Sequence, residues 1–418
     1  MPPLKGTLLR YPLGVSVYLL ATCDTKGDEA AFVADLLEQS GQSVRIVDTG
    51  CLGDCALDVH HSREDVFRAA GTSLEAMVQG NDRGEAVKAA AQGTTALLLE
   101  AHARGELKGV LGLGGSAGTS IGTTAMRALP LGVPKLMIST LASGQVRQYV
   151  GDKDITMMNS VVDISGINRI SRRVLANAAG AMAGMVAMEC PASDNDKPLV
   201  AATMFGVTTP CVEQARALLE EAGYEVLVFH ATGVGGQAFE SLIREGLLAG
   251  VLDITTTELA DEWVGGTLSA GPERLTGAAA MGLPQVVSVG ATDMVNFQGR
   301  ETVPAPFADR LLYEHNAEVT LMRTTPAECQ LIGTKIGERV AGSSGPTEIL
   351  LPTHGVSAID AEGKAFDDPE ARRALMDAVA ASCGSIPCTE INHHINDPEF
   401  AAAAVTRLLD LIPGTPTP

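Results

Sequence analysis

Residues Val17 to Gly27, VYLLATCDTKG, form an apolar run that ends in a short polar loop, and an amphipathic helical pattern follows from Ala30. Residues Leu199 to Pro210, LVAATMFGVTTP, repeat this arrangement in the second half of the chain. Each copy continues into a second apolar run followed by Thr-Gly, at Gly50 and Gly233. Apolar runs that alternate with helical periodicity are typical of strand, helix and second strand in succession. The repetition indicates an internal duplication.

The later apolar runs repeat as well. Residues 107–113 (LKGVLGL) correspond to 248–254 (LAGVLDI), and residues 133–139 (VPKLMIS) correspond to 283–289 (LPQVVSV). Strands this apolar, alternating with helices, are typical of parallel sheets covered on both faces. We therefore predict the α/β fold class, with two tandem Rossmann-like domains whose mainly parallel sheets are related by duplication.

The chain length agrees with two domains, because 418 residues exceed what one ordinary core holds. We place a nucleotide-binding domain at residues 1–190, a polar, Pro-bounded linker at 191–198, and a second domain for a metabolite or a partner at 199–418. Residues 166–189 show a long helical pattern rich in Ala and Gly. Three roles stay open for that helix: a bridge between domains, a dimer face or an ordinary buried helix.

Composition narrows the class of partner. A net charge of −20 argues against a nucleic-acid surface, which needs clustered Lys and Arg. Eight cysteines without a secretory start favour reduced thiols in the cytoplasm over a disulfide framework. The most membrane-like stretch, residues 174–188, is shorter than the roughly 20 residues of a span. We expect a cytoplasmic protein without a nucleic-acid or membrane partner.

A glycine-rich loop is the sharpest functional candidate. Residues 112–120, GLGGSAGTS, follow a predicted strand and precede a predicted helix. Glycines let the backbone approach phosphate oxygens, and the start of a helix presents free amides and the positive end of its dipole. Hydroxyl groups of Ser116 and Thr119 add donors. The loop is predicted to bind phosphate, and a glycine-rich packing turn is the alternative.

Other loops open on the same sheet edge if the strands are parallel. Lys26 supplies a cation, Asp24 accepts from a sugar hydroxyl or holds Mg²⁺, and Thr25 donates to phosphate. The alternative is that Asp24 and Thr25 only cap the following helix. Further candidates follow later strands: Thr49, Ser139, Thr140 and Ser143. Arg83 lies in a polar loop and is also a candidate, with a solvated surface residue as the alternative.

Familiar nucleotide and metal motifs fit poorly. The glycine-rich loop has no lysine, so it is not a Walker loop. It comes late in its domain for a dinucleotide fingerprint and lacks the expected acid, so an NAD-dependent oxidoreductase ranks last. Zinc at Cys51, Cys55, His60 and His61 is disfavoured because adjacent histidines rarely reach one ion together. We expect no metal bound by the protein alone.

The second domain lacks these phosphate features and carries other polar groups at apparent strand ends. Four of them are our candidates for general acid, general base or charge-stabilising roles in catalysis. They are His315, Arg323, His354 and His394. The alternative is that such residues are satisfied structural groups.

With these segments identified, the chain resembles the Tm-1-like bacterial family, relatives of the ATP-binding, inhibitory region of the tomato mosaic virus resistance protein. The resemblance covers nearly the whole chain. Its most specific passages are the loops at 22–27 and 112–120, with PKLMIST (134–140), SVVDISG (160–166), FGVTTP (205–210) and LMRTT (321–325). The resemblance implies two Rossmann-like subdomains, ATP in the first, and a homodimer.

Carried onto this chain, the resemblance places ATP contacts in three segments. They are Asp24, Thr25 and Lys26, then Thr49, then Gly114, Gly115, Ser116, Ala117, Gly118 and Thr119. The family usually has glycine where this chain has Ala117. If that position needs a positive φ, alanine costs roughly 1 kcal/mol there.

Two functions are compatible with these features, and whether the chain is an enzyme stays open. One is an ATP-dependent enzyme acting on a small carboxylate or sugar acid in an interdomain cleft, with the Mg²⁺ requirement undecided. The other is a non-catalytic module in which ATP stabilises a dimer or switches a surface for a protein partner. The missing Walker lysine favours the second.

Overall fold

The computed structural model describes residues 15–51, 53, 55–189 and 196–414. It divides into two compact units, Met1–Ala192 and Ser193–Pro418. Most of the predicted linker at 191–198 lies outside the described residues. The predicted α/β fold class is confirmed, with parallel sheets in both units.

The first unit is built on a five-stranded parallel sheet of order β2-β1-β3-β4-β5. Its strands are β1 (Ser16–Ala21), β2 (Val44–Asp48), β3 (Leu107–Gly114), β4 (Lys135–Ser139) and β5 (Thr156–Asn159). Its helices are α1 (Cys23–Gln39), α2 (Arg63–Ala69), α3 (Leu74–Gly80), α4 (Arg83–Ala103), α5 (Ser116–Ala128), α6 (Arg147–Val150) and α7 (Arg169–Ala187).

Side chains of β1 alternate between two cores, as the period of a strand requires. Val17 and Leu19 pack with α1 and α7 on one face of the sheet. Tyr18 and Leu20 pack with α2, α4 and α5 on the other face. Because both faces are covered, the strand reads as a continuous apolar run in the sequence.

The second unit has a six-stranded parallel sheet of order β14-β13-β9-β8-β6-β7. Its elements begin with β6 (Leu199–Met204), α8 (Thr209–Glu221), β7 (Glu225–His230), α9 (Val234–Arg244), β8 (Leu248–Thr255), α10 (Thr257–Val264), α11 (Gly277–Met281) and β9 (Gln285–Gly290). They continue with β10 (Met294–Phe297), β11 (Leu312–Asn316), β12 (Val319–Arg323), α12 (Pro326–Ala341), β13 (Thr347–Pro352), α13 (Pro369–Ser382), β14 (Cys388–Ile391) and α14 (Pro398–Leu411).

The order of the strands in the two sheets agrees with the duplication seen in the sequence. The order β2-β1-β3-β4 of the first unit recurs as β7-β6-β8-β9 in the second. The second unit also contains an antiparallel sheet of order β10-β12-β11, which the sequence analysis did not anticipate.

The long helix predicted at 166–189 is α7, which begins at Arg169. The side chain of Asn168 caps it, because its Oδ1 accepts from the amides of Ile170 and Ser171 at 2.8 and 3.0 Å. Within the part of the chain that is described, every helix is too short or too polar to cross a membrane.

Candidate functional site

A cavity of about 280 Å³ opens in the first unit where β1 and β3 run into their helices. We call it the first-unit cavity. It brings together three predicted segments, the loop after β1, the start of α4 and the glycine-rich start of α5. Its lining residues are Thr22, Asp24, Thr25, Lys26, Cys51, Arg83, Val87, Gly115, Ser116, Ala117, Gly118 and Ile121.

One wall of the cavity is the N-terminus of α5. Gly115 is the N-cap residue, and the amide of Thr119 donates to its carbonyl oxygen at 2.8 Å. This is the first backbone hydrogen bond of the helix, so the amides of Ser116, Ala117 and Gly118 precede the helical ladder. The described first turn of α5 contains no acidic residue. The positive end of the helix dipole therefore borders the cavity without a carboxylate from the first turn of the helix itself.

The glycines of this loop divide into two roles. A Cβ on Gly114 would lie 2.8 Å from the Cα of Gly118, so Gly114 is needed for close packing of β3 against α5. A Cβ on Gly115 would meet its nearest neighbour, Oγ1 of Thr140, only at 3.8 Å. Gly115 is thus the glycine of this loop beside which the backbone is least crowded. Ala117 lies inside α5 with a negative φ, so the condition under which alanine would be costly is not met.

Two cations line the cavity. Lys26 departs from helical geometry inside α1, with φ −131° and ψ 22°, and its amide and that of Thr25 both donate to the carbonyl of Thr22. Arg83 is the exposed first residue of α4 rather than part of a loop, and Asp82 caps that helix. Counting only contacts among described residues, neither Lys26 nor Arg83 forms an ion pair. Their charges are available to a ligand.

Asp24 is the carboxylate at the cavity. Its Oδ2 accepts from the amide of Gly53 at 3.2 Å, and its Oδ1 accepts from the hydroxyl of Thr25 at 3.3 Å. The segment after β2 therefore folds back onto the loop after β1. Cys51, which lies on this segment, joins the lining for that reason.

Six predicted ligand residues lie outside the lining. Thr119 and Ser139 are buried and bond to each other, with 2.6 Å between Oγ1 and Oγ. Thr49 is also buried, and its amide donates to the carbonyl of Ala21 at 2.8 Å. Gly114 packs against the helix, Thr140 begins the turn after β4, and Ser143 is exposed in that turn.

The sequence analysis missed four lining residues: Thr22, Cys51, Val87 and Ile121. Thr22 and Cys51 adjoin predicted segments, so proximity along the chain was the available signal. Val87 and Ile121 lie on α4 and α5, and which helix face meets the cavity depends on helix rotation. Together they give the cavity an apolar wall.

In the second unit, a side chain of the protein occupies the place that corresponds to the first-unit cavity. Glu258 stands in the first turn of α10, at the same distance beyond β8 as Ala117 stands beyond β3. Its Oε1 accepts from the amides of Gly233 and Gly236 at the start of α9, at 2.7 and 3.0 Å. A carboxylate of the chain thus takes the role that an anionic ligand has at a helix N-terminus.

Arg274, which has no solvent exposure, neutralises this carboxylate. Its Nε donates to Oε2 of Glu258 at 2.7 Å, and its Nη1 and Nη2 donate to Asp253 at 2.5 and 2.7 Å. Glu240 accepts from the amides of Leu275 and Gly277 in the same network. The second unit has a site filled by its own side chains where the first has a cavity.

The four predicted catalytic residues lie in different parts of the second unit. His315 is exposed on β11, at an irregularity between Glu314 and Asn316. Arg323 lies at the other end of the β11–β12 hairpin and is buried. Its guanidinium donates to the carbonyl of Phe366 and the hydroxyl of Thr324, both at 2.8 Å. The structure does not place His315 beside Arg323.

His354 and His394 follow the neighbouring parallel strands β13 and β14. His354 is exposed. The Nδ1 of His394 accepts from the amide of Asn396 at 3.0 Å, which places the ring proton on Nε2, and Nε2 donates to the carbonyl of Ser357 at 2.9 Å. Both ring nitrogens of His394 are therefore used in protein contacts.

The fold and cavity define a class: a two-unit α/β protein whose first unit holds a glycine-rich helix start and two cations, Lys26 and Arg83, in one cavity. The chain belongs to the uncharacterised protein family UPF0261, with residues 15–191 matching its N-terminal domain and residues 197–412 matching its C-terminal domain. The resemblance drawn from the sequence motifs is thereby confirmed.

Relatives align over most of this chain. A UPF0261 protein of Clostridium tetani is 48% identical over 398 residues, covering 95% of this chain and 98% of that protein. A UPF0261 protein of Mesorhizobium japonicum is also 48% identical, covering 94% of this chain and 98% of that one. The ToMV resistance protein Tm-1(GCR237) of Solanum lycopersicum is 41% identical over 420 residues, covering 95% of this chain but 56% of the tomato protein.

Proposed function

We propose that the first unit binds a phosphate-bearing nucleotide, ATP, in the first-unit cavity. One observation carries this proposal: the open N-terminus of α5, Lys26 and Arg83 line a single cavity. A helix N-terminus with free amides and nearby cations is suited to phosphate oxygens. The choice of ATP is supported by the family resemblance of the sequence motifs, which implies ATP in the first domain.

Each lining group has a role in this proposal. The amides of Ser116, Ala117 and Gly118 donate to phosphate oxygens, and Gly115 leaves room for the phosphate. Lys26 and Arg83, which line the same cavity, neutralise the phosphate charge. The apolar wall of Val87 and Ile121 offers a surface for the nucleoside.

Asp24 is the group that would hold Mg²⁺ beside the phosphates. A carboxylate with water is a typical partial shell for this ion when substrate phosphates complete it. The requirement for Mg²⁺ is tested by adding ATP with and without the ion to wild type and to Asp24→Asn. A dependence on Mg²⁺ that disappears in the variant supports this role.

The composition of the cavity favours a non-catalytic role, in which ATP stabilises a homodimer or switches a surface for a protein partner. Of the lining residues that the structure describes, Asp24 is the one carboxylate, and none is a histidine. A general base for attack on the γ-phosphate has no second candidate there. The rival is an ATP-dependent enzyme acting on a small carboxylate or sugar acid. Phosphate release and the mass of the protein, each measured with and without ATP, separate the two.

Calorimetric titration of ATP with Mg²⁺ tests the nucleotide site. We expect wild type to bind and Lys26→Ala to bind about 10- to 100-fold more weakly, since a hydrogen bond to a charged group contributes roughly 1.5–3 kcal/mol. Lys88→Ala is the matched control, because Lys88 is an exposed lysine of α4 that does not line the cavity. Absence of binding to wild type, or an equal loss in the control, would overturn the proposal.

A further inference from the structure

Three side chains with metal-ligating atoms converge beside the first-unit cavity. The Sγ of Cys23, a carboxylate oxygen of Asp48 and the Sγ of Cys55 all lie within 4.8 Å of one another. Cys23 begins α1, Asp48 ends β2, and Cys55 lies on the segment that follows β2. Cys23 and Asp48 are buried, and Cys55 is half-buried.

The backbone fixes this group in place. Oδ1 of Asp48 accepts from the amides of Cys23 and Gly50, at 3.0 and 2.8 Å. A Cβ on Gly50 would lie 2.8 Å from Cγ of Asp24 and 2.9 Å from Oδ1 of Asp48. Only glycine lets the segment after β2 pass this close to both carboxylates, and that passage brings Cys55 to Cys23.

The two thiols have weak partners at present. Sγ of Cys23 donates to the carbonyl of Ala21 at 3.6 Å, and Sγ of Cys55 donates to the carbonyl of Leu57 at 3.4 Å. A bound cation would replace these weak contacts with bonds to sulfur.

We propose that Cys23, Asp48 and Cys55 bind a divalent cation of the zinc class, with a solvent molecule at the fourth position. Two sulfurs at about 2.3 Å from a tetrahedral zinc ion lie roughly 3.8 Å apart, so the two sulfurs need to approach each other by about 1 Å at most. On binding, each thiol gives its proton to solvent and its sulfur forms a bond to the ion. Two thiolates select zinc over Mg²⁺, which prefers oxygen ligands.

A second cavity borders this group at one of its three residues. It has a volume of about 350 Å³, and Cys23 lies in its wall together with Asp24, Asp28 and Glu29. Carboxylates in such a wall raise the local concentration of cations. The site differs from the zinc site considered in the sequence: Nδ1 of His60 accepts from the amide of Ile46 at 3.2 Å, and the ring of His61 stacks on Tyr18.

The proposal does not depend on nucleotide binding, but it has a consequence for it. The ion would join the loop after β1 to the segment after β2. These elements carry Asp24, Lys26 and Cys51, which line the first-unit cavity. Metal would thus fix one side of that cavity in place.

Cobalt is the probe for this site, because Co²⁺ bound by thiolates absorbs in the near ultraviolet through charge transfer from sulfur. The full chain, reduced and stripped of metal, is titrated with Co²⁺ in excess Mg²⁺, and Zn²⁺ is then added. We expect a charge-transfer band that saturates at one ion per chain and that Zn²⁺ abolishes. Cys55→Ser should weaken Co²⁺ binding by at least the roughly 10- to 100-fold that loss of an outer-shell partner costs.

Cys388→Ser is the matched control, because Cys388 is also half-buried and lies beside another thiol, Cys383. It should leave the band unchanged. Cys55→Ala and Asp48→Asn provide further variants, and circular dichroism verifies that each folds. The proposal is overturned if wild type shows no charge-transfer band, if Cys388→Ser removes the band, or if the purified chain holds Cys23 and Cys55 as a disulfide that excludes the ion.

Discussion

The Oε1 of Glu258 accepts a hydrogen bond from the amide of Gly233 at 2.7 Å, so the second unit closes with its own carboxylate the kind of place that stays open in the first. The difference between the units depends on the first turn of one helix, where Glu258 in α10 corresponds to Ala117 in α5. Introducing glutamate at position 117 tests this correspondence directly.

Ala117→Glu should abolish ATP binding to the first unit. The introduced carboxylate would enter the cavity, as Glu258 enters the corresponding place of the second unit, and would repel phosphate. Ala117→Gln is the control of equal length without charge, and we expect it to bind at least about tenfold more tightly than Ala117→Glu, a difference of about 1.4 kcal/mol. Calorimetric titration measures both. Equal affinities in the two variants would show that size, and not charge, decides occupancy.

Gly114→Ala and Gly115→Ala should differ in stability although the residues are neighbours. The new Cβ at position 114 would lie 2.8 Å from the backbone of Gly118, whereas the Cβ at position 115 has nothing within 3.8 Å. We expect the first change to lower the free energy of unfolding by about 1–3 kcal/mol and the second to have a much smaller effect. Urea denaturation followed by circular dichroism gives both values. A larger loss for Gly115→Ala would contradict the packing role of Gly114.

Arg274→Met should strongly destabilise the second unit. It leaves the carboxylates of Asp253 and Glu258 buried without their cation, and loss of one partner of a buried ion pair typically costs about 3–5 kcal/mol. Arg216→Met is the control, since its ion pair with Glu220 on α8 is 2.7 Å long and both side chains are about half-exposed. Such a pair contributes about 1 kcal/mol or less. Thermal denaturation that shifts equally in both variants would refute the assigned role of the buried network.

Asp261 should make the second unit less stable as the pH rises from about 4 to 7. Burial raises the pKa of this carboxyl group to about 7 from 3.8, and the charge of Glu258 also raises it. Between these two values the folded state binds more protons than the unfolded state, so the free energy of unfolding falls with rising pH, by at most about 1.4 kcal/mol per unit.

Asp261→Asn should flatten this dependence, because asparagine does not titrate. Asp410→Asn, an exposed carboxylate of α14, is the control and should leave the dependence unchanged. Urea denaturation at several pH values measures the slope. Identical slopes for wild type and Asp261→Asn would show that another group, such as Asp293, whose pKa burial also raises, causes the dependence.

The sequence predicted the two sheets because their strands are covered on both faces and read as unbroken apolar runs. It also predicted that Lys26 and the segment from Gly115 to Gly118 meet, since parallel strands deliver their following loops to one edge. These inferences need only strand direction. They do not depend on how each helix is rotated.

Features that depend on exact backbone paths were not predictable. Val87 and Ile121 line the cavity because of the rotation of two helices, and Cys55 reaches Cys23 because Gly50 permits a close passage. His315 and Arg323 are close in sequence, yet the β11–β12 hairpin places them at opposite ends. The role of Glu258 was hidden because its partner Arg274 belongs to a later segment.

Because Glu258 closes the site of the second unit, the stability of the two halves depends differently on the concentration of free ligand. A ligand that enters the first unit stabilises it by an amount that grows with the logarithm of its free concentration. Glu258 is part of the chain, so the occupancy of its place in the second unit does not depend on the concentration of any free molecule. Under the proposed function, the stability of the first half would report the ATP concentration, and the second half would give a fixed reference.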